Sequence, residues 1–134
     1  MAEKYVLDTQ ALMWYLQGHD QLGNKAKAVL EDPKNQFVLP MIVLVEAAAL
    51  IEQGKTTLSA MPDLLNSILA DSRFSVHPLT WAVFHQSLLL RAIPDMHDRL
   101  IVSTALHLQS AGDTAFLVTQ EAKIVESRLV SVVW

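Results

Sequence analysis

The chain has no cysteine. Disulfides and thiolate-bound zinc are therefore excluded, and the composition suits a reducing compartment. Its four glycines form neither a GxGxxG nor a Walker A pattern, which disfavours nucleotide binding of those kinds. His19, His77, His85, His97 and His107 lack metal-ligand spacing, and no HExxH occurs. They read as surface or packing residues. Met1, Ala2, Glu3 and Lys4 do not form the basic segment of a secretory signal. The longest nearly uncharged stretch, residues 37–51, is too short to span a bilayer, and Pro40 and Glu46 interrupt it. The expectation is a soluble, cytoplasmic protein without a membrane partner. Positive charge is scarce too: Lys and Arg number 10 against 14 Asp and Glu, for a net charge of −4. Nonspecific nucleic-acid binders are usually basic. A nucleic-acid partner is thus disfavoured unless bound cations reverse the local field.

Aliphatic residues are abundant. Of 134 residues, 51% are hydrophobic, enough for a sizeable core in one domain over residues 1–134. There are no repeats, low-complexity tracts or linkers. Apolar runs alternate between strand and helix periodicity. Strands are expected at residues 5–7, 37–39, 74–77, 116–118 and 129–133. Helices are expected at about 11–16 (ended by Gly18), 24–30, from Pro40 to about 53 with Gly54 as cap, 57–70 with a break near Pro62, from Thr80 to 92, 96–110 and 121–126. The pattern predicts an α/β fold: a three-layer domain with a parallel sheet of four to five strands and helices on both faces. Sites in such sheets lie at the C-terminal strand ends.

Acidic residues fall at those ends. Asp8 follows Tyr5-Val6-Leu7, and Glu121 lies just beyond the strand at 116–118. Each has a plain alternative: Asp8 or Thr9 can cap a helix, and Glu121 can be a first-turn acid. Glu46 is the single charge in residues 37–51. A helix apolar around most of its circumference is largely buried, and an ionised Glu there needs a cation, either a metal or an Arg such as Arg99. Asp95 and Asp98 share one helix mouth, where Asp95 as N-cap and Asp98 at the third helical position come close to a capping box. Four or five carboxylates at one sheet edge would repel one another unless hard cations bind them. All-oxygen ligation points to Mg2+ or Mn2+. Such ions accept phosphate oxygens and support phosphodiester hydrolysis.

Four segments carry a resemblance. Val6-Leu7-Asp8-Thr9-Gln10-Ala11-Leu12 followed by Trp14, then Val43-Leu44-Val45-Glu46, Pro94-Asp95-Met96-His97-Asp98-Arg99-Leu100-Ile101, and Leu117-Val118-Thr119-Gln120-Glu121 occur in order across essentially the whole chain. With them the chain resembles PIN-domain proteins, in particular the VapC-like toxins of type II toxin–antitoxin pairs. The resemblance implies an endoribonuclease using Mg2+ or Mn2+. Asp8, Glu46, Asp98 and Glu121 would be the catalytic, metal-binding acids and Asp95 an auxiliary one, supported by Thr9, Thr119 and Arg99. It further implies RNA as substrate, a small inhibitory antitoxin and a homodimer. The last motif departs from the family pattern, which has Asp where this chain has Glu121. His97 replaces an apolar or aromatic residue often found there.

Arg99 either binds phosphate or neutralises the acids. Trp14, Trp81 and Trp134 either stack on bases or pack in a core or dimer. Three rival functions remain. A receiver-like signalling domain would need an acidic pair after the first strand and a lysine after the last, and neither is present. A phosphatase with an aspartyl nucleophile would need DxD, but residue 10 is Gln. A PIN-type binding module with weak catalysis stays open through Glu121.

Overall fold

The computed structural model describes residues 3–57 and 60–134. Its elements, in chain order, are β1 (Glu3–Leu7), α1 (Thr9–Gln17), α2 (Asn24–Glu31), β2 (Gln36–Pro40), α3 (Met41–Glu52), α4 (Met61–Ala70), β3 (Phe74–His77), α5 (Trp81–Ser87), α6 (Met96–Ser110), β4 (Thr114–Val118), α7 (Ala122–Ser127) and β5 (Val132–Val133). The five strands form one parallel sheet ordered β3-β2-β1-β4-β5. The expected α/β architecture is therefore present.

Burial follows from this order. Val6 and Leu7 of the central β1 are both fully buried, as are Phe37 and Leu39 of β2 and Leu117 and Val118 of β4. Consecutive residues point to opposite faces, so runs of buried residues require cover on both faces. The chain builds outward from β1 to β3, then reverses to β4 and β5. Right-handed crossovers send the helices of the two halves to opposite faces. The reversal also opens a crevice between the C-terminal ends of β1 and β4, the usual ligand position in open α/β sheets. A receiver-like domain has strand order 2-1-3-4-5, so the topology removes that rival.

Local chemistry sets most boundaries. Gly18 closes α1 in the left-handed conformation at φ 63°, its N–H reaching Trp14 and Tyr15 carbonyls. Pro40 precedes the first residue of α3, and Thr80 caps α5 by accepting from the Val83 N–H. Below the sheet, Arg73 donates to the Leu30 and Asp32 carbonyls and the Tyr15 hydroxyl, pairs with Asp71, and lies over the Phe37 ring. It ties β3 to α1 and the α2–β2 loop.

Three expectations required correction. The helix expected over 57–70 has its described part at Met61–Ala70, with Pro62 in the first turn, where its missing N–H costs nothing; residues 58–59 lie outside the described residues. The helix expected to reach residue 92 ends at Ser87. Leu88, Leu89 and Leu90 continue in tight turns bonded three residues back, which bury Leu90 and leave Leu89 exposed. The last strand shortens to Val132–Val133, because Arg128 turns the chain in the left-handed region at φ 55°.

Candidate active site

Asp8 stands at the junction of β1 and α1. It caps α1, its Oδ1 accepting from the Ala11 N–H at 2.7 Å, while its Oδ2 accepts from the Thr119 hydroxyl at 2.5 Å. The Asp8 N–H in turn reaches the Val118 carbonyl, so the ends of β1 and β4 are stitched together beneath the crevice. Thr119 is fully buried and its oxygen also accepts from the Glu121 N–H at 3.0 Å. One hydroxyl thus links Asp8 to the start of α7, where Glu121 occupies the cap position without a side-chain cap bond.

Asp95 caps α6 by accepting from the Asp98 N–H at 3.0 Å, as a capping reading of the pair expects. That accounts for Asp95 but not for Asp98, whose carboxyl lines a cavity of about 160 Å³ with Asp8, Thr9, Gln10, Ile101 and Glu121. Burial, then repulsion from Asp95, Glu121, Glu46 and Asp8, pushes Asp98 up to about 7. Burial also pushes Asp8 up to about 6, against the Thr119 and Ala11 hydrogen bonds that pull it down. The fold therefore gathers Asp8, Asp98 and Glu121 around one crevice, with Asp95 at its rim.

Glu46 reaches the same region from α3. Its Oε1 accepts from the Thr9 hydroxyl at 2.7 Å and its Oε2 lies 3.1 Å from His97 Nδ1. It lines a larger neighbouring groove of about 510 Å³ between α1 and α3, walled by Met13, Trp14, Val45 and Leu50 and carrying Lys55 and His97. The two cavities share Thr9 and Gln10.

One sequence expectation about Glu46 fails here, and one of its two readings drops out. The helix carrying it is not buried around its circumference: Ile42, Val43 and Ala47 face the core, but Val45 is 55% exposed. The Glu46 side chain itself is 28% exposed, so water shares the cost of its charge. Nor is Arg99 its partner. Arg99 donates to the Ile93 carbonyl and the Met96 sulfur, bracing the turn before α6. His97 takes the contact instead. From sequence His97 reads as a surface or packing residue, since the reach from the second residue of α6 to α3 has no sequence signal. The one available clue was a polar ring in a position the family usually fills with an apolar one. Among the described residues, no Lys or Arg pairs with any of the five acids, and no three acidic or histidine side chains converge as a finished metal cage.

A doubly wound parallel sheet whose reversal point gathers carboxylates that, among the described residues, no Lys or Arg neutralises defines a class: small α/β proteins with an acidic crevice. Residues 5–125 match the PIN domain family, and the chain belongs to that family. A comparison with curated protein sequences finds no match to this chain. Solved structures do resemble it. VapBC2 from Rickettsia felis bound to a DNA fragment from their promoter aligns with a TM-score of 0.67 at 21% identity, covering 96% of each chain. FitAcB from Neisseria gonorrhoeae aligns at 0.65 and 17% identity, covering 96% of this chain and 95% of that one. DNA-bound VapBC from Salmonella typhimurium aligns at 0.64 and 16%, covering 98% and 97%. These likenesses are in fold. Among the described residues no helix is long and apolar enough to cross a membrane.

Proposed function

We propose that this protein is a metal-dependent endoribonuclease, the toxin of a toxin–antitoxin pair. The observation that carries this reading is geometric: Asp8, Asp98 and Glu121 line one cavity at the sheet's reversal point, and among the described residues no Lys or Arg pairs with them or with Glu46 and Asp95; the upward push on Asp98 accords with it. Evolution toward stability alone would not gather such charges. The donor set is all oxygen, which suits Mg2+ or Mn2+. Asp8, Glu46, Asp98 and Glu121 would hold the ion, with Asp95 assisting. When bound, it supplies a water nucleophile and neutralises phosphate charge.

The chain's own residues do the rest. Ala11 and Thr119 fix both oxygens of Asp8, and Thr9 holds one oxygen of Glu46, so the acids need little reorganisation on loading. The N-termini of α1 and α6 both open on the crevice, adding positive potential where a phosphate would lie. The glutamate that replaces aspartate in the last motif, Glu121, lines the cavity, which keeps it in the proposed ligand set. Purified protein should cleave single-stranded RNA with Mn2+ or Mg2+ and stop on addition of EDTA; no cleavage under either ion would overturn the reading.

Two surfaces suit the partners this reading implies. The apolar groove between α1 and α3 would seat a small antitoxin against Thr9, Glu46 and His97, closing the approach to the crevice. Trp81, Phe84, Leu88 and Leu89 are exposed along α5 and the turns after it, Trp81 and Leu89 at 75% each. That stripe suits a second copy of the chain, since exposed apolar patches of this kind mark interfaces. Light scattering should give a dimer for the wild type and a monomer for Trp81→Glu, both with full RNA cleavage if the two surfaces are independent.

A further inference from the structure

We propose that His97 is a positioning residue for Glu46: with Thr9 it holds both carboxylate oxygens, so that Glu46 presents a fixed pair of free lone pairs to a divalent cation. The inference rests on the nuclease reading above and adds a residue to it. His97 and Thr9 come from different elements, α6 and α1, and grip opposite oxygens, at 3.1 Å and 2.7 Å. A carboxylate offers about four lone-pair positions over its two oxygens. Two donors, one on each oxygen, leave one position on each and stop the group from rotating. That is the arrangement by which outer partners orient metal-binding carboxylates.

A structural role alone explains the contact poorly. His97 is 51% exposed and Glu46 28%, and ion pairs open to water add little to folding. Packing does not require the histidine either, because the side chain lines the groove rather than the core. Among the described residues, the one hydrogen bond that the His97 side chain makes is to Glu46. On α3 itself Ala49 is exposed beside Glu46, and no side chain of that helix hydrogen-bonds to the carboxylate, whose two bonds come from α1 and α6.

Mn2+ binding, read by calorimetry or by loss of the free Mn2+ spin-resonance signal, separates orientation from packing. His97→Phe keeps a ring of similar size and removes the donor. It should weaken Mn2+ binding about tenfold with an unchanged melting temperature in EDTA. His97→Asn places a donor nitrogen on the same atom as the imidazole Nδ1 and should restore most of the affinity. Thr9→Val should weaken binding in the same direction as His97→Phe. Wild-type affinity in His97→Phe, or no recovery in His97→Asn, would overturn the positioning role while leaving the nuclease reading intact. A wild-type protein that binds no Mn2+, or binding undiminished in Asp98→Asn, would overturn both.

Discussion

Asp98→Asn should lower metal-dependent RNA cleavage by at least about 10²–10³-fold while leaving the fold in place. Removing one preorganised charge-stabilising group costs about that much in other enzymes, and Asp98 stands where repulsion from its neighbours converges. Asparagine keeps the size and the shape of the side chain. The cap of α6 is supplied by Asp95 through the Asp98 backbone N–H, which the substitution does not touch. Asp8→Asn should be equally inactive, because its amide retains an oxygen to accept from Ala11 but loses the charge. Cleavage assays on both variants, with circular dichroism to verify folding, decide the matter: wild-type rates in both would sink the nuclease assignment.

The same variant should be more stable than the wild type when metal is absent. Asp98 is raised from 3.8 to about 7 in the folded protein. The folded state therefore binds this proton more tightly than the unfolded one. The stability that the proton confers is fully present below pH 3.8 and is lost as pH rises through about 7. Asp8, raised to about 6, contributes with the same sign over a lower window. In EDTA, wild-type stability should fall between about pH 4 and 7.5. The full shift of Asp98 would correspond to about 4 kcal/mol at 1.36 kcal/mol per unit. Solvent screening of a partly exposed group reduces that to about 1–2 kcal/mol. Asp98→Asn should thus melt a few degrees above the wild type at pH 7.5, about 3–8 °C, and lose that advantage near pH 4. Mn2+ should raise the wild-type melting temperature and leave Asp98→Asn nearly unmoved. A wild type that gains stability toward pH 7.5 in EDTA would show that the cluster is not strained. Activity and stability would trade against each other at one residue.

The acids at strand ends were legible because strand periodicity is short range. Tyr5-Val6-Leu7 announces β1, and Asp8 must then sit at its end. Asp95 was legible as a cap for the same local reason, and the hydrogen bond to the Asp98 N–H is the one its spacing implies. The apolar run around Glu46 misled, because hydrophobic composition reports tendency rather than cover. Among the described residues Val45 is left 55% exposed, so α3 is covered on one side only despite its sequence. The plain alternative for Glu46, a pair with Arg99, fails on helix geometry. The neighbour of Arg99, Asp98, points into the crevice, but one residue along a helix turns the side chain by about 100°, and Arg99 reaches Ile93 instead.

By itself the sequence determined the class of fold, the positions of most elements and the acids at the strand ends, since each follows from interactions within a few residues. Tertiary structure alone decided which acids meet. Asp8 and Thr119 are 111 residues apart and touch because β1 pairs with β4. His97 and Glu46 are 51 apart and touch because α3 and α6 pack together at the crevice. The chain reversal at β1 creates that meeting place, and a reversal in strand order is a property of the whole sheet that no local stretch of sequence encodes.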